Sequence, residues 1–135
     1  MKRSLVLTIV VLLIFALTVT SVLATRDPLI GPWESIDLDG SYQTLTIGGG
    51  PNNTYHIRYY DFGATVCGLD PHTNDLYAAS ARGLLTGSDG SITGTISVYC
   101  MTRPPTHWGD VIITYDYDAS NDTIIDSGSV VWNRR

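Results

Sequence analysis

Through residues 92–100 apolar and polar side chains alternate. Ile92, Gly94, Ile96, Val98 and Cys100 fall on one side of an extended chain, and Thr93, Thr95, Ser97 and Tyr99 on the other. A period of two predicts a strand with one buried face. Shorter runs of strand-forming composition recur at residues 33–38, 42–47, 55–61, 64–67, 77–85, 111–117, 123–126 and 129–134. Turn formers stand between most of them: Asp39-Gly40, the glycine- and asparagine-rich stretch 48–53, Phe62-Gly63, Asp89-Gly90 and Asn121-Asp122. The longest irregular piece is 68–75, and Arg103-Pro104-Pro105-Thr106 reads as a stiff loop. No window after residue 24 keeps apolar residues at helical spacing for more than about one turn. The chain therefore reads as all-β, with eight or nine short strands joined mostly by tight turns.

Local connections argue for an antiparallel up-and-down meander. About eight such strands hide both sheet edges by closing into a small barrel. A β-sandwich is the alternative, although only residues 68–76 and 101–109 are long enough for a crossover between sheets.

The N-terminus breaks this pattern. Lys2-Arg3 precede an almost unbroken apolar run from Leu5 to Val19, and Val22-Leu23-Ala24 lead into the polar Thr25-Arg26-Asp27-Pro28. This layout predicts a signal peptide over residues 1–24, cut near Ala24, and a secreted product, extracellular or periplasmic. An uncleaved membrane anchor is the competing reading, since the run is about long enough to span a bilayer. After cleavage a single domain over residues 25–135 is expected, with no stable membrane insertion.

Charge then excludes some partners. Loss of Lys2 and Arg3 takes the formal net charge from −5 to −7 and leaves no lysine. Scattered arginines on an acidic domain rule against a nucleic-acid surface. Cys67 and Cys100 are the only cysteines, and an even count in an oxidising compartment predicts a structural disulfide.

Gly31-Pro32-Trp33 at the first strand and Arg134 in the last resemble the lipocalin and calycin barrels. The resemblance implies a Gly-x-Trp opening and an arginine packed across that tryptophan, so that Trp33 and Arg134 close one barrel end. The chain is also similar to small secreted bacterial proteins of unknown role.

Reactive chemistry is sparse. His56, His72 and His107 are widely separated and fit no metal-binding spacing, and no nucleophile elbow or phosphate-cradling loop is present. No catalytic, cofactor-binding or metal-binding residue is expected, and neither enzymatic activity nor a cofactor. Asp37-Leu38-Asp39-Gly40 and residues 116–122 carry enough oxygen to suggest calcium, but turn chemistry explains both. Asn52 and Asn121 begin glycosylation sequons, of consequence only in a eukaryotic secretory route.

Aromatic residues are the stronger clue. Tyr55, Tyr59, Tyr77, Tyr115 and Tyr117 occupy strand faces, and Ala79, Ala81 and Gly83 share a face with Tyr77. Tyrosines opposite small residues would line a cavity for a small, partly apolar ligand. The expected function is thus a secreted, non-catalytic barrel that binds a small ligand. The alternative is a surface-acting protein-binding or inhibitor module, with Trp108 presented by the proline-stiffened segment 101–108.

Overall fold

The computed structural model describes residues 27–135, so the expected signal peptide and its cut near Ala24 lie outside the described residues. Eight strands follow in chain order: β1 (Gly31–Ile36), β2 (Tyr42–Gly49), β3 (Thr54–Asp61), β4 (Ala79–Ser88), β5 (Ser91–Cys100), β6 (Thr106–Asp118), β7 (Thr123–Asp126) and β8 (Val131–Arg134). Each pairs antiparallel with its neighbour, and β8 returns to β1. The sheet is an up-and-down meander closed into a barrel, which sets the sandwich aside.

Closure rests on a short seam, with Trp33 opposite Arg134 and Glu34 opposite Asn133. Ser35 Oγ adds to it by donating to the Val131 carbonyl at 2.7 Å. The tightest hairpin joins β4 to β5. Its two loop residues, Asp89 (φ 56°) and Gly90 (φ 83°), are both left-handed, which matches the right-handed twist of the strands they join.

Alternation sorts the side chains as expected. On β5, Ile92, Ile96, Val98 and Cys100 are buried, and Thr93 and Thr95 are exposed. Leu29, Trp33, Leu45, Ile47, Ile57, Leu85, Ile92 and Ile124 fill the end of the barrel that receives the N-terminal arm. Each such burial contributes roughly 1.5–3 kcal/mol. Gly83 lies where β4 curves against β5. A Cβ there would stand 2.4 Å from the Thr95 carbonyl oxygen, so the site requires glycine.

Three expectations need correction. Residues 64–67 are not a strand: Thr65–Cys67 is a 3₁₀ turn in the connection from β3 to β4. β3 pairs directly with β4 through Asp61 and Ala79, leaving no neighbour for an intervening strand. The following strand starts at Ala79 rather than at Tyr77, whose N–H instead bonds the Gly68 carbonyl. β6 starts at Thr106, well before residue 111, because pairing with β5 continues across a bulge to Cys100 and Thr106.

Cys67 and Cys100 form a disulfide, with Cα atoms 5.4 Å apart. Cys67 does not end a strand, as the run 64–67 suggested. Cys100 ends β5 beside Ala79, and Cys67 belongs to the loop above them, so the bridge pins the long loop 62–78 to the barrel rim.

Candidate functional site

The barrel has two unlike ends. At one end the arm 27–30 lies across the interior, with Trp33 Nε1 donating to the Leu29 carbonyl at 2.9 Å. The Arg134 guanidinium stacks on the Trp33 ring, its carbon 4.1 Å from the ring centroid. It also donates to Asp122 and, through Nη2 at 2.7 Å, to the Pro28 carbonyl. This end is shut.

At the other end the side chains change character. β3 brings Tyr59 and Asp61 inward, β2 brings Gln43, β6 brings Tyr115, β7 brings Asp126 and β8 brings Trp132. These residues, with Val98, Val111, Ile113 and others, surround a cavity of about 230 Å³ that opens at the rim. The barrel interior is therefore filled at the arm end and hollow at the other.

The hydrogen bonds define its polar wall. Asp61 accepts from Ser41 Oγ (2.9 Å), the Gly63 N–H (3.0 Å), the Tyr59 hydroxyl (3.2 Å) and Gln43 Nε2 (3.4 Å). Asp126 accepts from the Gly128 and Val130 N–H groups (2.8 and 3.0 Å) and from Trp132 Nε1 (3.0 Å). Both carboxylates are buried, and every one of these donors is neutral.

Aromatic edges form the rest. Tyr59 and Tyr115 each meet Trp132 edge-on, with ring centroids 5.9 and 6.5 Å away. Burial, and then the charge of Asp61, raises the Tyr59 hydroxyl well above the ordinary tyrosine range. Tyr115 is raised by burial and then by the charge of Asp126. Both remain protonated donors at neutral pH. Among the described residues, the Tyr115 hydroxyl is the buried side-chain polar group left without a hydrogen-bond partner.

Of the tyrosines expected to line a cavity, the structure brings together Tyr59 and Tyr115 only. Tyr55 and Tyr117 do point from inward-facing positions, but toward the shut end. There the Tyr55 hydroxyl donates to Asp27, and that of Tyr117 donates to Asp122 at 3.0 Å. One strand face spans the full height of a barrel, so a shared face does not mean a shared site. Tyr77 belongs to the loop before β4 and does not line the cavity.

Trp108 joins the mouth through a backbone irregularity. Val98 faces Gly109 and Tyr99 faces His107, so Trp108 is the extra residue of a bulge in β6. Regular alternation would turn it outward with Asp110 and Ile112. The bulge brings it to the cavity, half-exposed at 51%.

The remaining candidates are held in turns or on the outer surface. Asp118 accepts from Ser120 Oγ (2.6 Å) and Asn121 Nδ2 (2.7 Å), Asp122 pairs with Arg134, and Asp39 accepts from the Ser41 N–H (2.9 Å). No group of three or more His, Cys, Asp or Glu residues is placed to hold a metal among the described residues. His56, His72 and His107 are all exposed, and His107 meets Asp110 at 3.1 Å. Among the described residues no helix is long and apolar enough to cross a membrane.

Comparison with protein families, with curated proteins and with solved structures finds no match to this chain.

Proposed function

We propose that this chain is a secreted, lipocalin-like barrel without catalytic activity that binds a small, partly apolar ligand in its open end. The buried Tyr115 hydroxyl carries the reading. A buried polar group is ordinarily paired, and leaving one unpaired costs about 1–3 kcal/mol. Here the unpaired group lies in the wall of a cavity that aromatic and aliphatic side chains share with Gln43, Asp61 and Asp126. A bound molecule would pair it. At about 230 Å³ the cavity suits a molecule of one or two rings, since an engineered apolar cavity of about 150 Å³ takes benzene.

Trp132 lies in the wall and Trp108 at the mouth, so tryptophan fluorescence reports occupancy directly. A small-molecule screen read by melting temperature and by this fluorescence tests the proposal. Compounds that raise the melting temperature should also shift the emission, and both effects should be lost when Ala79→Trp fills the cavity. A library that moves neither signal overturns the reading.

The half-exposure of Trp108 supports a second reading, a protein-binding module acting through segment 101–108. Trp108→Ala separates the two. Loss of an extracellular protein partner with small-molecule binding intact favours the surface role.

A further inference from the structure

We propose that the ligand of this cavity is an organic cation, a protonated amine on a one- or two-ring apolar body. The inference rests on the ligand-binding reading and specifies its chemical class.

The walls and rim of the cavity carry three carboxylates, Asp37, Asp61 and Asp126, and among the described residues no arginine, histidine or lysine lines it. Asp61 and Asp126 are 3% and 9% exposed, so neither charge is dissolved in solvent. Their partners are hydroxyls, an amide, an indole and backbone N–H groups, all neutral. The ion pairs among the described residues, His107–Asp110, Arg134–Asp122 and Arg135–Glu34, leave both carboxylates out. Buried charges in proteins are ordinarily paired with an opposite charge. Neutral donors orient these two carboxylates without cancelling them, and the region keeps a net negative charge.

Turn closure explains part of this arrangement, since Asp126 holds the 127–130 turn and Asp61 caps the chain at Gly63. It does not explain the third observation. The Tyr115 hydroxyl is buried and unpartnered in the same wall, and lies within the field of Asp126. Its oxygen can accept from an ammonium N–H. Trp132, Tyr59 and Trp108 add aromatic surfaces that favour a cation through their quadrupoles. The two carboxylates supply the opposite charge. A carboxylate or phosphate ligand would be repelled by the same wall, and a neutral ligand would leave its charge uncancelled.

The test uses three probes of matched shape: phenethylamine, the neutral phenethyl alcohol and the anionic phenylacetate. Binding to the full secreted protein is measured by calorimetry and tryptophan fluorescence at neutral pH. Phenethylamine should bind at least about tenfold more tightly than either analogue. Asp126→Asn and Asp61→Asn should each weaken the amine about tenfold without weakening the alcohol. Asp37→Asn at the rim serves should either buried variant fail to fold, and should weaken the amine alone. Equal binding of all three probes, or preference for phenylacetate, overturns the cation while leaving the small-ligand reading standing. Failure of all three probes, alongside neutral compounds that bind in the screen, does the same. Failure of the probes and of the whole screen removes the ligand-binding reading, and the cation with it.

Discussion

The guanidinium of Arg134 lies over Trp33, its carbon 4.1 Å from the ring centroid, at the point where the last strand meets the first. It is fixed there by Asp122 and the Pro28 carbonyl, so one side chain joins β8, the β6–β7 turn and the N-terminal arm. Gly31 makes room for it. Gly31 has φ 145°, and a Cβ there would come within 3.2 Å of Arg134 Nη1.

Arg134→Ala should therefore destabilise the barrel by about 2 kcal/mol, from the cation–π contact and the charge-assisted hydrogen bonds together. That corresponds to roughly 8 °C in melting temperature for a domain of this size. Arg134→Lys should recover only part of the loss, because an ammonium cannot stack and fork at once. Thermal unfolding of the three proteins measures this directly. Equal stability of all three would show that the short seam holds without the pair.

The Cys67–Cys100 bridge closes a span of 33 residues. In the loop-entropy account that is worth about 3–4 kcal/mol. Because the bridge ties a loop to the rim and crosses no part of the interior, reduction should lower the melting temperature while strand pairing persists. Hydrogen exchange under reducing conditions should show faster exchange at residues 62–78 and near-unchanged protection on β2, β5 and β6. Loss of protection throughout the barrel would show that the bridge holds the sheet itself.

The meander was legible because each strand carries a period of two and most turns carry their own chemistry, as at Asp89-Gly90. The pairing of the cysteines followed from their number, while the position of Cys67 did not. Residues 64–67 are extended-looking and apolar, yet four residues say nothing about whether a neighbouring strand exists to receive them. The cavity was half legible. Asp61 is in phase with Tyr55, Ile57 and Tyr59, and Asp126 is in phase with Ile124, so alternation already turns both carboxylates inward. Trp108 was hidden, because a bulge shifts the phase that alternation relies on. The height of each tyrosine along the barrel depends on strand stagger, and so Tyr55 and Tyr117 read the same as Tyr59 and Tyr115.

Tyr55 predicts a pH dependence. Its hydrogen bond to Asp27, then burial and the charge of Asp27, push its pKa up from 10.0 to about 12. An acidic group whose folded pKa is raised favours the folded state while it is protonated. Its contribution is complete below pH 10 and is lost as pH rises toward about 12. Denaturant unfolding across this window should show stability falling with pH, with a shallower fall in Tyr55→Phe. A wild-type slope equal to that of Tyr55→Phe would mean that the Asp27 contact does not persist in solution.

Tyr115 makes the opposite kind of prediction, because its hydroxyl is buried without a protein partner. Tyr115→Phe removes the unpaired group and keeps the ring against Trp132. The variant should be more stable than wild type by about 1 kcal/mol, the lower end of the cost of a buried unpaired polar group. Any compound that binds through this hydroxyl should bind the variant about fivefold to tenfold more weakly, as expected for loss of one hydrogen bond of about 1–1.5 kcal/mol. Stability and affinity then move in opposite directions from a single atom, as happens when a group is kept for function at the expense of stability. The measurement is a pair: unfolding of the free proteins, and titration with whichever amine binds wild type best. A variant less stable than wild type would mean that the hydroxyl has a partner in solution, and the main support for the cavity as a binding site would be gone.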